Sequence, residues 1–146
     1  TFVTIRVTGW DDHQKIAASM QNKGPAYDQA VAALITDLHD RGMADDVLVL
    51  AMGEFGRTPM VNRNAGRDHW GQVMSVMMAC GGLKTGQAIG TSDSKGAVPD
   101  DRPYRPENVL ATVYRHLGID ASMTFIDNSG RPRYLLEERA PIAELI

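Results

Sequence analysis

With 146 residues the chain is the size of one domain, and a composition of 43% hydrophobic and 23% charged residues excludes a disordered polypeptide. Lys and Arg total 15 against 18 Asp and Glu, and the net charge of -3 argues against binding nucleic acid through overall charge. The longest apolar runs, 47–52 and 73–80, are too short to span a membrane, and the single Cys80 excludes an internal disulfide.

The chain opens in a β-branched run, 1–8, in which Phe2, Val3, Ile5 and Val7 lead to Gly9. This pattern predicts a buried strand. There is no initiating Met and no basic-then-apolar leader, so the chain reads as a piece of a longer protein. A polar, weakly patterned stretch follows over 14–23. Tyr27, Val31, Leu34, Ile35 and Leu38 then form one helical stripe, with Pro25 in its first turn and Gly42 as its stop. The run 47–52 is apolar on both faces and predicts a strand inside a covered, mainly parallel sheet. Together these pieces predict a right-handed βαβ unit.

Between Met52 and Gln72 no helical periodicity is present, so the next strand, 73–79, lacks the crossover that a parallel neighbour needs. It is therefore expected to run antiparallel to 47–52. A long surface loop covers 85–105. Pro106 opens a second helix with Val109, Leu110, Val113, Tyr114 and Leu117 on one face and Gly118 at its end. A short strand at 123–126, a turn at 127–130 and an extended piece around 134–136 close the chain. The class expected is α/β with a mixed sheet.

Ligands in open α/β sheets sit beyond the carboxyl ends of the strands. That edge would gather Asp11, Asp12 and His13 after the first strand, Glu54 and Arg57 after the second, and Asp68 and His69 before the third. Carboxylates and imidazoles together suit Zn, Mn, Mg or Ca, and Arg57 and Arg67 are placed to hold a tetrahedral anion. Taken singly, each motif is as well explained by a solvated turn or a surface ion pair; their joint placement carries the metal reading. His39 and His116 fall in last helical turns and read as structural. The run 81–86 fails as a phosphate loop, because its Lys84 follows Leu83 and no helix begins after it. Cys80 and the cluster Met74, Met77 and Met78 read as core filling.

Gly9-Trp10-Asp11-x-His13, Glu54-Phe55-Gly56-Arg57-Thr58-Pro59, Gly66-Arg67-Asp68-His69-Trp70, Gly81-Gly82, Gly90-Thr91-x-Asp93 and Gly130-Arg131-Pro132 together resemble a bacterial family called domain of unknown function 1501. That family is placed with the alkaline-phosphatase-like hydrolases, which include sulfatases. The resemblance implies a mainly parallel sheet with helices on its faces, the chain being a single domain, 1–146, that corresponds to the C-terminal portion of a larger one. It implies metal ligation by Asp11, His13 and His69. Glu54 stands where the superfamily has Asp and Phe55 where it has His, and Phe cannot ligate.

The function expected is the metal-site portion of a metal-dependent phosphate or sulfate ester hydrolase. Asp11, His13, Glu54 and His69 would hold the ion, with Zn first among the metals, and Arg57 and Arg67 would clamp the anion. A small-molecule or glycan ester is the expected partner, and the resemblance suggests an exported, extracytoplasmic setting. The superfamily's nucleophile lies in an N-terminal strand, so this chain by itself is expected to be inactive and prone to self-association. Two other readings are a non-catalytic binding or structural module, favoured by Phe55, and a metal-free carbohydrate site using Trp10 and Trp70. For ligands shared between two ions, the side-chain ends of Asp11, His13 and His69 should converge to within roughly 8 Å, with Glu54 at the rim.

Overall fold

The computed structural model describes residues 1–146. Its longest element is helix α1, Ile16–Asp40, followed by strand β1, Leu48–Ala51. Two-residue strands β2, Gly56–Arg57, and β3, His69–Trp70, precede β4, Met77–Cys80. Helix α2, Pro106–His116, strands β5, Thr124–Ile126, and β6, Pro132–Tyr134, and a short 3₁₀ turn, Ala143–Leu145, complete the chain. The strands pair as three two-stranded antiparallel ladders, β1 with β4, β2 with β3 and β5 with β6.

This is not the mixed, mainly parallel sheet with helices on its faces that the alkaline-phosphatase-like resemblance implies. Residues 1–8 form no strand, and Phe2, Val3 and Ile5 are each 76% exposed. A β-branched run favours a pleated surface only where a partner strand supplies the ladder, and here none does. The βαβ unit is lost with it. The run 47–52 is half-buried along β1 instead of covered on both faces, because β1 lies in a ladder of only two strands, paired antiparallel with β4 alone and with Leu48 opposite Cys80. That antiparallel sense is the one expected from the missing crossover helix.

Helix α1 begins well before the expected stripe. Ala17, Ala18, Met20 and Gln21 are good helix formers, and the helix runs on through Gly24 and Pro25 in spite of the donor that Pro lacks. Only Leu38 of this helix is buried. Gly42, at φ +67°, supplies the left-handed stop at its carboxyl end.

Helix α2 lies close to its expected limits. The side chain of Asn108 accepts from the Arg105 amide at 2.7 Å, satisfying one of the unpaired donors at the helix start. Val109 packs with Ile142 and Leu145, and around them gather Leu50, Met78, Leu83 and Tyr104. The buried face of α2 is Asn108, Val109, Ala111, Thr112 and Val113, whereas Leu110 and Leu117, expected inward, are exposed. Two polar side chains tie the carboxyl-terminal segment beneath α2: Asn108 Nδ2 donates to Ala140 O at 2.8 Å, and Thr112 Oγ1 accepts from Ile142 N at 2.9 Å. His116 does the same for the sheet, with Nδ1 3.2 Å from the Gly81 carbonyl.

Candidate metal centre

The site is built on the β2–β3 ladder, which pairs Arg57 with His69 and Gly56 with Trp70. Residues 58–68 close that ladder as a tight loop. Asn62 organises it: its Oδ1 accepts from the amides of Asn64 and Gly66, and its own amide donates to Gly66 O at 2.8 Å. Thr58 N donates to Asp68 O at 2.9 Å, and Asp68 N donates back to Thr58 Oγ1 at 3.1 Å.

The amino-terminal segment is laid along this loop. Arg67 N donates to Asp12 O at 3.0 Å, Lys15 N to Asn64 O at 3.0 Å and Ile16 N to Ala65 O at 2.8 Å. The approach is possible because residue 66 has no side chain. A Cβ there would lie 2.0 Å from the His13 backbone carbon, far inside van der Waals contact. Asp12 anchors the same strap to α1, with Lys23 Nζ at 2.8 Å and Ser19 Oγ donating at 2.5 Å. Its carboxyl is held below the usual value, first by Lys23 and then by Ser19.

These contacts bring Asp11, His13 and His69 to one point. His69 Nε2 lies 2.8 Å and His13 Nε2 3.0 Å from Asp11 Oδ1, and the two imidazole nitrogens are 3.2 Å apart. One donor atom from each residue falls within 4.8 Å of the other two. Arg57 Nη2 donates to the same Asp11 oxygen at 2.7 Å, and His69 and Arg57 together hold the Asp11 carboxyl down at about 2. The group is open to solvent, with about half of each of the three side chains exposed.

Not every expected residue joins. Glu54 is exposed and lies outside the ligand group. Phe55 packs on the His69 ring at 4.3 Å between centroids, and Arg57 sits over Phe55. Arg67 donates through Nη1 to the carbonyls of Thr58 and Pro59 at 2.6 and 2.7 Å, which makes it a brace of the loop. Trp70 Nε1 is bonded to Ala97 O, and Trp10 is stacked edge-on against Tyr27, so both indoles serve packing. Asp68, placed at this edge by the sequence but given no role, accepts from His13 Nδ1 at 2.7 Å and from Asn62 Nδ2 at 3.0 Å. Those two bonds, His13 first, hold its carboxyl below the usual value. Asn62 itself is missed by a reading that looks for acids and imidazoles; its signal is turn chemistry, an Asn four residues before Gly66.

A family model described as a protein of unknown function, DUF1501, matches residues 1–146. The chain belongs to the DUF1501 family. No curated protein and no solved structure matches it. The segments 54–59 and 66–70 thus carry the two strands of one small ladder, with Asp11 and His13 strapped across it. No helix of this DUF1501 chain is long and apolar enough to cross a membrane.

Proposed function

We propose that this chain is the metal-holding part of a metal-dependent phosphate or sulfate ester hydrolase, with Asp11, His13 and His69 as ligands. The observation that carries the reading is the convergence of two imidazole nitrogens and one carboxylate oxygen within 4.8 Å. Two His and one carboxylate, open to solvent, are the donor set of a zinc site that leaves a position for water or substrate. A divalent ion held there supplies Lewis acidity toward an ester oxygen. The chain's own part is to hold the ion and orient the anion. Arg57, 2.7 Å from Asp11, carries the guanidinium best placed to receive one. The motif resemblance to alkaline-phosphatase-like hydrolases supports the reaction type, and the packing of Phe55 on His69 supports a second reading, a module that binds without turnover.

Titration of the metal-free protein with Zn²⁺ by calorimetry separates these readings from a site without metal. One ion per chain is expected, with binding abolished in His13→Ala and His69→Ala. Binding that survives both substitutions would refute the assignment. This chain by itself is expected to turn over neither aryl phosphate nor aryl sulfate, so the two readings part in a longer protein that also carries the nucleophile strand. Metal-dependent hydrolysis there, lost in His13→Ala, decides for the hydrolase, and tight binding with no turnover there for the module.

A further inference from the structure

The His13 ring is held from both sides. Its Nε2 points into the group formed with Asp11 and His69, while its Nδ1 lies 2.7 Å from Asp68 Oδ1. An ionised carboxylate only accepts hydrogen bonds, so the proton of this contact sits on Nδ1. In a neutral imidazole that leaves Nε2 with its lone pair aimed into the group, the form that ligates a metal. Asp68 is held in turn by Asn62, whose Nδ2 donates to Asp68 Oδ1 at 3.0 Å and to the His13 carbonyl at 3.1 Å. One amide nitrogen thereby ties together the backbone that carries His13 and the carboxylate that orients its ring. The hydrogen bonds of the His69 ring, by contrast, all run through Nε2.

We propose that Asp68 and Asn62 are positioning residues that lock His13 in its Nδ1-protonated tautomer and so preset one of the two imidazoles for metal. The tautomer rests on the difference between the two carboxylates at the ring. Asp68 makes a hydrogen bond to Nδ1 at 2.7 Å, whereas Asp11 Oδ1 lies 3.0 Å from Nε2 without hydrogen-bond geometry and is bonded instead to His69 Nε2. The effect on affinity rests on the metal reading above. Outer partners of this kind change metal affinity by about 10–100-fold when removed. Free imidazole side chains favour the proton on Nε2, so the lock must act against that preference.

The test is long-range ¹H–¹⁵N spectroscopy of the metal-free protein at about pH 8.5, above the ordinary imidazole value of about 6.5. His13 is expected with a protonated Nδ1 and a bare Nε2. Asp68→Ala should move the proton to Nε2. Asp68→Asn, which keeps an acceptor oxygen, should retain the Nδ1 proton, and Asn62→Asp should mix the two forms while still accepting from the Asn64 and Gly66 amides. Unshifted His39 and His116 resonances show that each variant is folded. Zn²⁺ affinity should fall about 10–100-fold in Asp68→Ala and less in Asp68→Asn. A wild-type His13 protonated on Nε2, or a tautomer indifferent to Asp68→Ala, overturns the inference even if Zn²⁺ binds. A tautomer that switches as expected in a protein that binds no Zn²⁺ would uphold the lock and remove the metal reading instead.

Discussion

Thr112 has no exposed surface at all, and it is polar. Its hydroxyl donates to Asn108 O at 2.8 Å and accepts from Ile142 N, so one buried oxygen joins α2 to the segment beneath it. Thr112→Val keeps the shape and orphans the Ile142 amide. A loss of about 1–3 kcal/mol is expected from chemical denaturation, and Thr112→Ser should recover most of it. Gly66 works in the opposite way, by having nothing to bury. Gly66→Ala drives a methyl into the His13 backbone and should lower stability by about 1–3 kcal/mol while parting His13 from His69, read as loss of Zn²⁺ binding. Asp127, in the β5–β6 turn, accepts from Ser129 Oγ and from the amides of Ser129 and Arg131, which hold its carboxyl down at about 2 from 3.8. A carboxyl depressed on folding stabilises the fold fully above its unfolded value. The hairpin should therefore keep its chemical shifts down to about pH 4 and lose them as pH falls toward 2, a change that Asp127→Ala should remove.

Among the elements, α1 carries an internal contradiction, a proline ten residues into a helix of 25. Nearly all of its surface is solvated, so little packing offsets the missing hydrogen bond. Pro25→Ala is expected to stabilise the helix by as much as about 3 kcal/mol, visible as a higher midpoint in thermal unfolding. That proline also misled the sequence reading, since Pro at a first turn is the common arrangement and the weak pattern of 14–23 offered no stripe against it. Helix α2 is legible because its start and stop residues, Pro106 and Gly118, act locally. The antiparallel sense of β4 is legible too, because a chain without a crossover segment has no other way back. Residues 1–8 are not legible, since a strand exists only through a partner and composition carries no information about one. The nearness of Asp11, His13 and His69 is expected from the sequence at the edge of a parallel sheet that the chain does not form; it arises instead from the β2–β3 ladder and from the close backbone approach of His13 over Gly66. The roles of Arg67 and Asn62 are not legible, because both act on backbone groups whose positions a sequence leaves open.

At the level of the whole molecule, the chain exposes 10516 Å² and buries only 11 of its 146 residues, whereas a folded monomer of this mass exposes about 7,400 Å². Phe2, Val3, Ile5 and Met60 are among the apolar side chains left in solvent. Such surface drives association. In sedimentation velocity the average mass should rise above 15.9 kDa with protein concentration, and a constant 15.9 kDa would contradict the expectation. The strap across the β2–β3 ladder has one more consequence, in the order of folding events. Pairing Arg57 with His69 closes a short loop, whereas bringing His13 to His69 spans 56 residues. The longer closure costs about 1.4 kcal/mol more in chain entropy. The ladder and its Asn62 loop therefore form first and the strap docks last. In pulsed hydrogen exchange during refolding, the amides of Thr58 and Asn62 should be protected before those of Lys15, Ile16 and Arg67. An ion arriving early would meet His69 alone, and only the late-docking strap would close the door behind it.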